Sequence, residues 1–224
     1  MCGRFSLASD SRSLEIRFSF RGVEPPVAPR YNIAPTQPVL TINREGLENR
    51  AQYMRWGLIP SWAKDQSIGS RMINARAETL SEKPSFRDAF RKRRCLVVAD
   101  GFYEWQKVAG RKRPMRIVLQ TGEPFAFAGL WESWRDPEGT TVRSCTIITT
   151  GPNSLIEPIH NRMPVILSRD DEARWLDPEM DDPPSLLQML APYPQGAMDA
   201  YEISTLVNSP ANDVPDCIER LRLL

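Results

Sequence analysis

The chain is built from short apolar runs that are separated by turns rich in proline and glycine. Many of these runs alternate apolar and polar residues, or are β-branched and apolar throughout, and both patterns are typical of strands. The predicted strands lie at 38–43, 50–56, within 95–105 (a strand, a glycine turn and the start of a second strand), and at 114–120, 125–131, 144–150 and 200–204.

Helical periodicity is confined to a few short segments. These lie at 85–94, 153–158, 169–176 and 184–191. Ser85 and Ser168 stand where a serine hydroxyl can cap a helix N-terminus. Twenty prolines argue against a bundle of long helices. The pattern therefore predicts an α+β fold, a single domain over 1–224 whose curved, barrel-like, mostly antiparallel sheet is flanked by short helices.

Length and composition are those of a soluble globular chain. The 224 residues are 41% hydrophobic and 25% charged, enough for a substantial core. There is no apolar run of the roughly 18–20 residues that a membrane span needs, and the N-terminus has no secretory pattern. We therefore expect a cytoplasmic protein that does not associate with membranes.

The net charge of +1 conceals an uneven distribution. Residues 1–164 contain 25 Lys and Arg against 16 Asp and Glu, a balance of +9, whereas residues 165–224 contain 4 against 12, a balance of −8. Such a division indicates a surface that faces a polyanion, although uneven surface composition is the alternative.

The four cysteines are scattered and there is a single histidine, so the sequence does not predict a structural zinc site. Cys95 and Cys145 lie in strand-like runs and are expected to be buried as small apolar residues. Cys217 has no evident partner. Cys2 fits no core strand, but removal of Met1 would give it an α-amine and a thiol two carbons apart.

Two polar stretches could contribute to a site. In "INARAET" (73–79), Asn74 and Arg76 point to the same side if the segment is extended, and the Arg fork suits a phosphate. In "ADGFYEW" (99–105), an apolar surround would raise the pKa of Glu104 into the range of a general acid or base. The alternatives are a solvated surface strand and an exposed edge glutamate.

Two further stretches are less specific. In "IHNRMPVIL" (159–167), His160 lies in a polar break between packed elements, with Arg162 as a candidate phosphate ligand; a structural histidine is the alternative. In "WGLIPSW" (56–62), Trp56 and Trp62 could stack on unpaired bases, although we expect one of the two to be a core residue.

Taken together, "MCGRF", "YNIAPTQ", "WGLIPSW", "INARAET", "ADGFYEW" and "IHNRMPVIL", in this order, resemble the motifs of the SOS-response-associated peptidase (SRAP) family. The resemblance implies a single α+β domain with a positively charged groove that binds single-stranded DNA and bonds covalently to abasic sites. It also implies a thiol autopeptidase that processes its own N-terminus. No cofactor or metal is implied, and we expect a monomer.

The resemblance also implies roles for particular residues. Cys2 would form the crosslink after Met1 is removed, Asn74 would position its amine or the sugar, Glu104 would move protons, and His160 would assist ring opening or reversal. The implied DNA contacts are Arg4, Arg76 and Arg162 at phosphates, and Asn32 and Pro35 at the floor of the pocket and the wedge beside the lesion. Stacking of a base on Trp56 is expected from its aromatic ring, if that ring is exposed.

Two other functions use much the same sequence. An N-terminal nucleophile hydrolase would attack peptide bonds with Cys2, with Glu104 or His160 as base. A passive single-strand binder would use the basic region and the tryptophans, but would leave Cys2 unexplained.

Overall fold

The apolar runs of the sequence form twelve strands among residues 2–221, the part of the chain that this computed structural model describes. The strands are β1 (Phe5–Leu7), β2 (Arg30–Ile33), β3 (Pro38–Glu45), β4 (Glu48–Trp56), β5 (Asn74–Arg76), β6 (Arg94–Ala99), β7 (Gly101–Val108), β8 (Arg111–Leu119), β9 (Phe125–Arg135), β10 (Thr141–Thr150), β11 (Met163–Pro164) and β12 (Met198–Glu202). The α-helices are α1 (Ser11–Phe18), α2 (Arg87–Lys92), α3 (Arg169–Leu176) and α4 (Pro183–Gln188). The 3-10 helices are Gln66–Arg71, Ala77–Thr79, Gln195–Ala197, Thr205–Asn208 and Pro215–Cys217.

Five of the strands close into a barrel. They follow the order β10-β4-β3-β6-β9, and β9 pairs in turn with β10. The neighbours are antiparallel except β10 and β4, which run parallel, as do β10 and the short strand β5. Closure removes free sheet edges and encloses the apolar faces of these strands. The predicted α+β fold with a barrel-like, mostly antiparallel sheet is therefore confirmed.

A second, antiparallel sheet has the order β12-β8-β7-β1-β2. It is joined to the barrel where β6 ends at Ala99 and β7 begins at Gly101. Residues of both sheets contribute to one large apolar cluster that includes Phe5, Phe102 and Phe127. Cys95 and Cys145 are buried in that cluster, as expected from their strands. Among residues 2–221, no helix is long and apolar enough to cross a membrane.

Two helix predictions are wrong in detail. Residues 154–159 form successive turns rather than a helix, because Pro158 has no N–H to continue the hydrogen-bond ladder. The N-cap of α2 is Phe86 rather than Ser85, and it makes no side-chain capping bond. The cap at Ser168 is confirmed, since its hydroxyl accepts from the Asp171 N–H at 3.2 Å.

A contact between two glycines shapes the connection that leads from β4 to β5. Gly57 has φ +128°, and a Cβ added there would stand 2.5 Å from the carbonyl oxygen of Gly69. The Gly57 N–H donates to the Cys145 carbonyl at 2.8 Å, and the Leu58 N–H to the Met72 carbonyl at 3.1 Å. This packing determines where β5 lies against β10.

We predict that Gly57→Ala lowers the free energy of unfolding by at least about 2 kcal/mol, because strain at positive φ adds to a clash with backbone. Gly139→Ala is the matched control, since Gly139 has φ +91° and nothing within 4 Å of an added Cβ. Urea unfolding of both variants measures the difference. Equal losses would mean that the close approach to Gly69 carries no stability.

Candidate active site

The N-terminal strand carries Cys2 into the join between the two sheets. Phe5 of β1 pairs with Phe102 of β7, and the Tyr103 N–H donates to the Arg4 carbonyl at 3.0 Å. Continuing this antiparallel register places Gly3 opposite Glu104. Cys2 itself is fully buried. The N-terminal end of β1 therefore lies in the fold's interior beside β7.

Asn74 reaches Cys2 from the barrel. It is the first residue of β5, which pairs with β10 through Asn74 and Ile147. Its Nδ2 donates to the Cys2 carbonyl at 2.8 Å. Among the described residues, its buried Oδ1 accepts no hydrogen bond. The amide thus holds the Cys2 backbone and retains one acceptor for a further group.

Glu104 provides a carboxyl group in the same interior. It lies on β7 and is only 3% exposed, so the alternative of an exposed edge glutamate does not hold. Burial raises its pKa to about 7, because desolvation penalises the carboxylate. Burial and the charge of Glu104 also raise the pKa of the Cys2 thiol well above its usual range. The thiol is therefore neutral at physiological pH, while the carboxyl group can either donate or accept a proton.

His160 lies in the segment between β10 and β11. Its Nδ1 lies 3.1 Å from the Arg162 backbone nitrogen and 3.2 Å from the Arg162 carbonyl oxygen, so it accepts from the first or donates to the second according to the tautomer. Desolvation lowers the His160 pKa. The segment also meets β7, because Gln106 Nε2 donates to the Pro158 carbonyl at 3.3 Å. Gln106 is two residues beyond Glu104, on the same face of the strand.

Two of the predicted phosphate ligands lie near Asn74 and His160 in the sequence: Arg76 ends β5, and Arg162 comes two residues after His160. Arg76, at the end of β5, is exposed. The Arg162 guanidinium instead makes a two-pronged ion pair with Glu78, with N–O distances of 2.6 and 3.0 Å, and donates to the Thr149 carbonyl at 2.6 Å. Thr149 pairs with Arg76 across β10 and β5. The structure thus brings both predicted phosphate ligands to neighbouring positions.

Arg4 and Asn32 form an internal cluster with the C-terminal region. Arg4 Nη1 donates to Asn32 Oδ1 at 2.6 Å and to the Val207 carbonyl at 2.7 Å. Asn32 Nδ2 donates in turn to the Ser209 and Asn212 carbonyls at 2.9 and 2.6 Å. Because Arg4 is buried and its Nη1 is committed, the cluster fastens the strand that carries Cys2 to residues 207–212.

The expectation that Trp56 offers a ring for base stacking is wrong. Its side chain is fully buried, packs edge-on against Phe5 with ring centroids 5.1 Å apart, and donates to the Ile73 carbonyl at 2.9 Å. Trp62 is the exposed member of the pair, at 59%. Pro35 is half-buried in the turn before β3, beside Thr36, whose N–H donates to the Trp56 carbonyl at 2.8 Å.

Sequence reasoning missed one residue that holds the N-terminal strand in place. The Asp100 carboxylate, at the join of β6 and β7, accepts from the Ser6 hydroxyl at 2.7 Å and from the Ala8 and Ser9 N–H groups at 2.5 and 3.0 Å. It also pairs with Arg116 at 3.2 Å. In the sequence, the feature that marks this residue is the polar Asp100-Gly101 pair between two apolar strands, and such a pair is typical of an ordinary turn.

The fold and the site together define a class of protein: a barrel of mixed strands that buries a cysteine at position 2, holds its carbonyl with an asparagine and buries a glutamic acid nearby. The family model for SOS response associated peptidase (SRAP) matches residues 1–210, and the chain belongs to this family.

Two relatives and one solved structure illustrate the membership. The chain is 52% identical over 222 residues to the abasic site processing protein YoqW of Bacillus subtilis (strain 168), with 98% of this chain and 99% of that protein covered. It is 32% identical over 228 residues to the abasic site processing protein HMCES of Gallus gallus, covering 87% and 67%. A crystal structure of a protein from Bacteroides thetaiotaomicron superposes with a TM-score of 0.90 at 29% identity, covering 99% and 100%.

Proposed function

We propose that this protein binds single-stranded DNA and crosslinks itself to abasic sites through Cys2 once Met1 has been removed. The observation that carries the proposal is the meeting of three motifs at one buried place, where Asn74 holds the Cys2 carbonyl at 2.8 Å and Glu104 acts electrostatically on the Cys2 thiol. The names of the relatives as abasic site processing proteins, and the uneven distribution of basic residues, support the same activity.

The α-amine of Cys2 is the first nucleophile. An abasic site equilibrates between a closed hemiacetal and an open aldehyde, and the amine adds to the aldehyde carbon and loses water to form an imine. An α-amine has a pKa of about 7.7–8.0, so a useful fraction is neutral at physiological pH, whereas a lysine amine with a pKa of about 10.4 is mostly protonated. Asn74 orients this nucleophile because it fixes the adjoining carbonyl.

The thiol acts second. Its sulfur adds to the imine carbon and closes a five-membered thiazolidine, and the thiol proton passes to the former imine nitrogen. This removes the electrophile, so the strand is not cleaved by elimination. The raised pKa of the Cys2 thiol keeps it protonated until then, and ring closure needs no second encounter because the thiol and the imine share one residue.

Glu104 and His160 divide the proton transfers. With its pKa raised to about 7, Glu104 donates to the sugar ring oxygen when neutral and accepts from the thiol when ionised. The lowered pKa of His160 keeps its ring neutral near pH 7, as a proton donor and acceptor for ring opening or reversal requires.

The DNA backbone is held by phosphate contacts. Arg76 is exposed at the end of β5, and Arg162 lies beside it across β10. Asn32 and Pro35 support the turn at the pocket floor and the wedge beside the lesion. Phosphate contacts give sequence-independent affinity that falls as salt rises, and selectivity comes from the missing base, whose place a normal nucleotide would fill.

For Arg4, the internal contacts support a positioning role in place of the predicted phosphate contact. We expect Arg4→Gln to slow crosslinking by about tenfold, since a small displacement of Cys2 is costly in an oriented reaction. Its affinity for base-intact single strands should keep the wild-type salt dependence. Arg76→Gln is the comparison, with the slope of log K against log salt reduced by about 0.7. The same reduction in Arg4→Gln would instead make Arg4 a phosphate ligand.

Peptidase activity is the second candidate, and the description of the family supports it. In its simplest form the protein would remove its own Met1, which would also activate the crosslinking chemistry. The raised pKa of the Cys2 thiol disfavours the thiolate that most cysteine peptidases use, so an external peptide substrate is the weaker form of this candidate.

One experiment separates these functions. The protein is incubated with single-stranded DNA that carries one abasic site, or an intact base as control, and resolved on a denaturing gel. A heat-stable band specific to the abasic strand supports the crosslinker. Absence of a band with cleavage of a peptide panel supports a hydrolase, and a salt-sensitive shift on native gels alone supports a passive binder. Intact mass reports whether Met1 is absent.

A further inference from the structure

The fork formed by Nη1 and Nη2 of Arg162 is occupied by a carboxylate. Its Nη1 bonds to one Glu78 oxygen at 2.6 Å, and its Nη2 bonds to the other at 3.0 Å and to the Thr149 carbonyl at 2.6 Å. The remaining donor nitrogen, Nε, is buried. Because the planar guanidinium binds oxoanions through this same fork, a DNA phosphate and the Glu78 carboxylate compete for one position.

The two partners of Arg162 differ in how firmly they are held. The Thr149 carbonyl belongs to β10, which is fixed by its pairing with β5 and β9. Glu78 lies in the short 3-10 helix Ala77–Thr79 directly after β5, and its side chain is 54% exposed against 17% for Arg162. Its carboxylate can therefore rotate into solvent once its bonds to Arg162 break.

Ion pairs between two exposed side chains typically contribute about 0–1 kcal/mol, and the two-pronged geometry places the Glu78 pair toward the upper end of that range. The phosphate that replaces the carboxylate makes the same two charge-assisted bonds, so its contacts offset the cost of displacing Glu78. The Arg162 guanidinium meanwhile stays aligned by Thr149. The arrangement suits exchange of one oxoanion for another.

We propose that Glu78 is a resident competitor for the phosphate position at Arg162, and that it weakens DNA binding until a backbone phosphate displaces its carboxylate. This inference rests on the proposed binding of single-stranded DNA. Its consequence is that Glu78 lowers the affinity for undamaged single strands, while an abasic strand is retained by the covalent bond to Cys2. The affinity of this position for a DNA phosphate is thus set by Glu78 as well as by Arg162.

The test is a double-mutant cycle on a base-intact oligothymidine strand at low salt. Glu78→Gln removes the charge but not the shape, and we expect it to bind about two- to fivefold more tightly, the fold-change that corresponds to an exposed ion pair. In an Arg162→Gln background the same substitution should have no effect, because the guanidinium for which the carboxylate and the phosphate compete is absent. Glu123→Gln, which breaks the exposed ion pair with Arg169 outside the site, controls for the change in net charge.

Each other outcome overturns the inference. Weaker binding by Glu78→Gln would make Glu78 a support for Arg162, and unchanged binding would mean that the carboxylate does not compete. An equal gain in the Arg162→Gln background, or in Glu123→Gln, would be a general charge effect. Melting temperatures exclude misfolded variants, and crosslinking of the wild type to an abasic strand is scored separately, so its failure bears on the proposed function and not on Glu78.

Discussion

Cys2→Ser should form a bond with abasic DNA but fail to keep it. The α-amine remains, so the imine still forms, but a hydroxyl closes the ring poorly and the imine hydrolyses or loses its phosphate. We expect at least about a hundredfold less heat-stable product on a denaturing gel, because the thiol acts at the high effective molarity of an intramolecular group. Borohydride, which reduces an imine to a stable amine, should restore the band in Cys2→Ser.

Two controls separate the amine from the thiol. Insertion of one residue between Met1 and Cys2 converts the Cys2 amine to an amide, and should abolish the heat-stable product because the terminal amine and the thiol then belong to different residues. Cys95→Ala removes a buried thiol of the barrel and should crosslink as the wild type does. A heat-stable band at the wild-type level in Cys2→Ser and in Cys2→Ala would show that the thiol has no part in the product.

Glu104→Gln should slow crosslinking by about 10²–10⁴-fold, the usual contribution of a positioned acid or base. In the wild type the rate rises with pH as the α-amine loses its proton, with a pKa of about 7.7–8.0. Neutral Glu104, the donor to the ring oxygen, ionises with a pKa of about 7, so its loss offsets the gain in neutral amine between about 7 and 8, and the rate falls above about 8. The wild-type profile should therefore be bell-shaped. Glu104→Gln should keep the rising limb and lose the falling one, and a falling limb that persists would assign the acid to another group.

The same substitution has a consequence for stability with a definite sign. The pKa of Glu104 is raised from 4.5 to about 7 by burial, so its neutral form favours the folded state. That contribution is complete below pH 4.5 and is lost as the pH rises to about 7, up to about 3 kcal/mol. Urea unfolding should show the wild type losing stability relative to Glu104→Gln across this window. Glu48→Gln, an exposed acid, should show no such trend.

The pattern of short apolar runs was enough to predict most of the longer strands. The segments at 38–43, 50–56 and 144–150 lie within β3, β4 and β10, because half-buried strands carry their burial pattern in alternate residues. The strands β1 and β2 were missed, as was α1. The first two are three and four residues long, too short for a period to be seen.

A barrel-like sheet could be predicted, but the particular strand pairings that close it could not. The β9–β10 pairing and the parallel contact between β10 and β4 join segments that are far apart in sequence. No local pattern encodes which edges meet, because hydrogen bonds between strands use backbone groups that every residue has. The extent of the domain over 1–224 stays a prediction.

At the site, the sequence by itself determined the chemical groups: a cysteine that can become N-terminal, an asparagine, a glutamic acid, a histidine and several arginines in six short motifs. Only the tertiary structure decided which of them work together. It placed Asn74 on Cys2, buried Glu104, turned Trp56 into the core, committed Nη1 of Arg4 to Asn32 and paired Arg162 with Glu78. The physical reason is that residue type specifies what a side chain can donate or accept. Its burial and its neighbours arise from long-range packing, and they set its pKa and decide which of its donors and acceptors remain available.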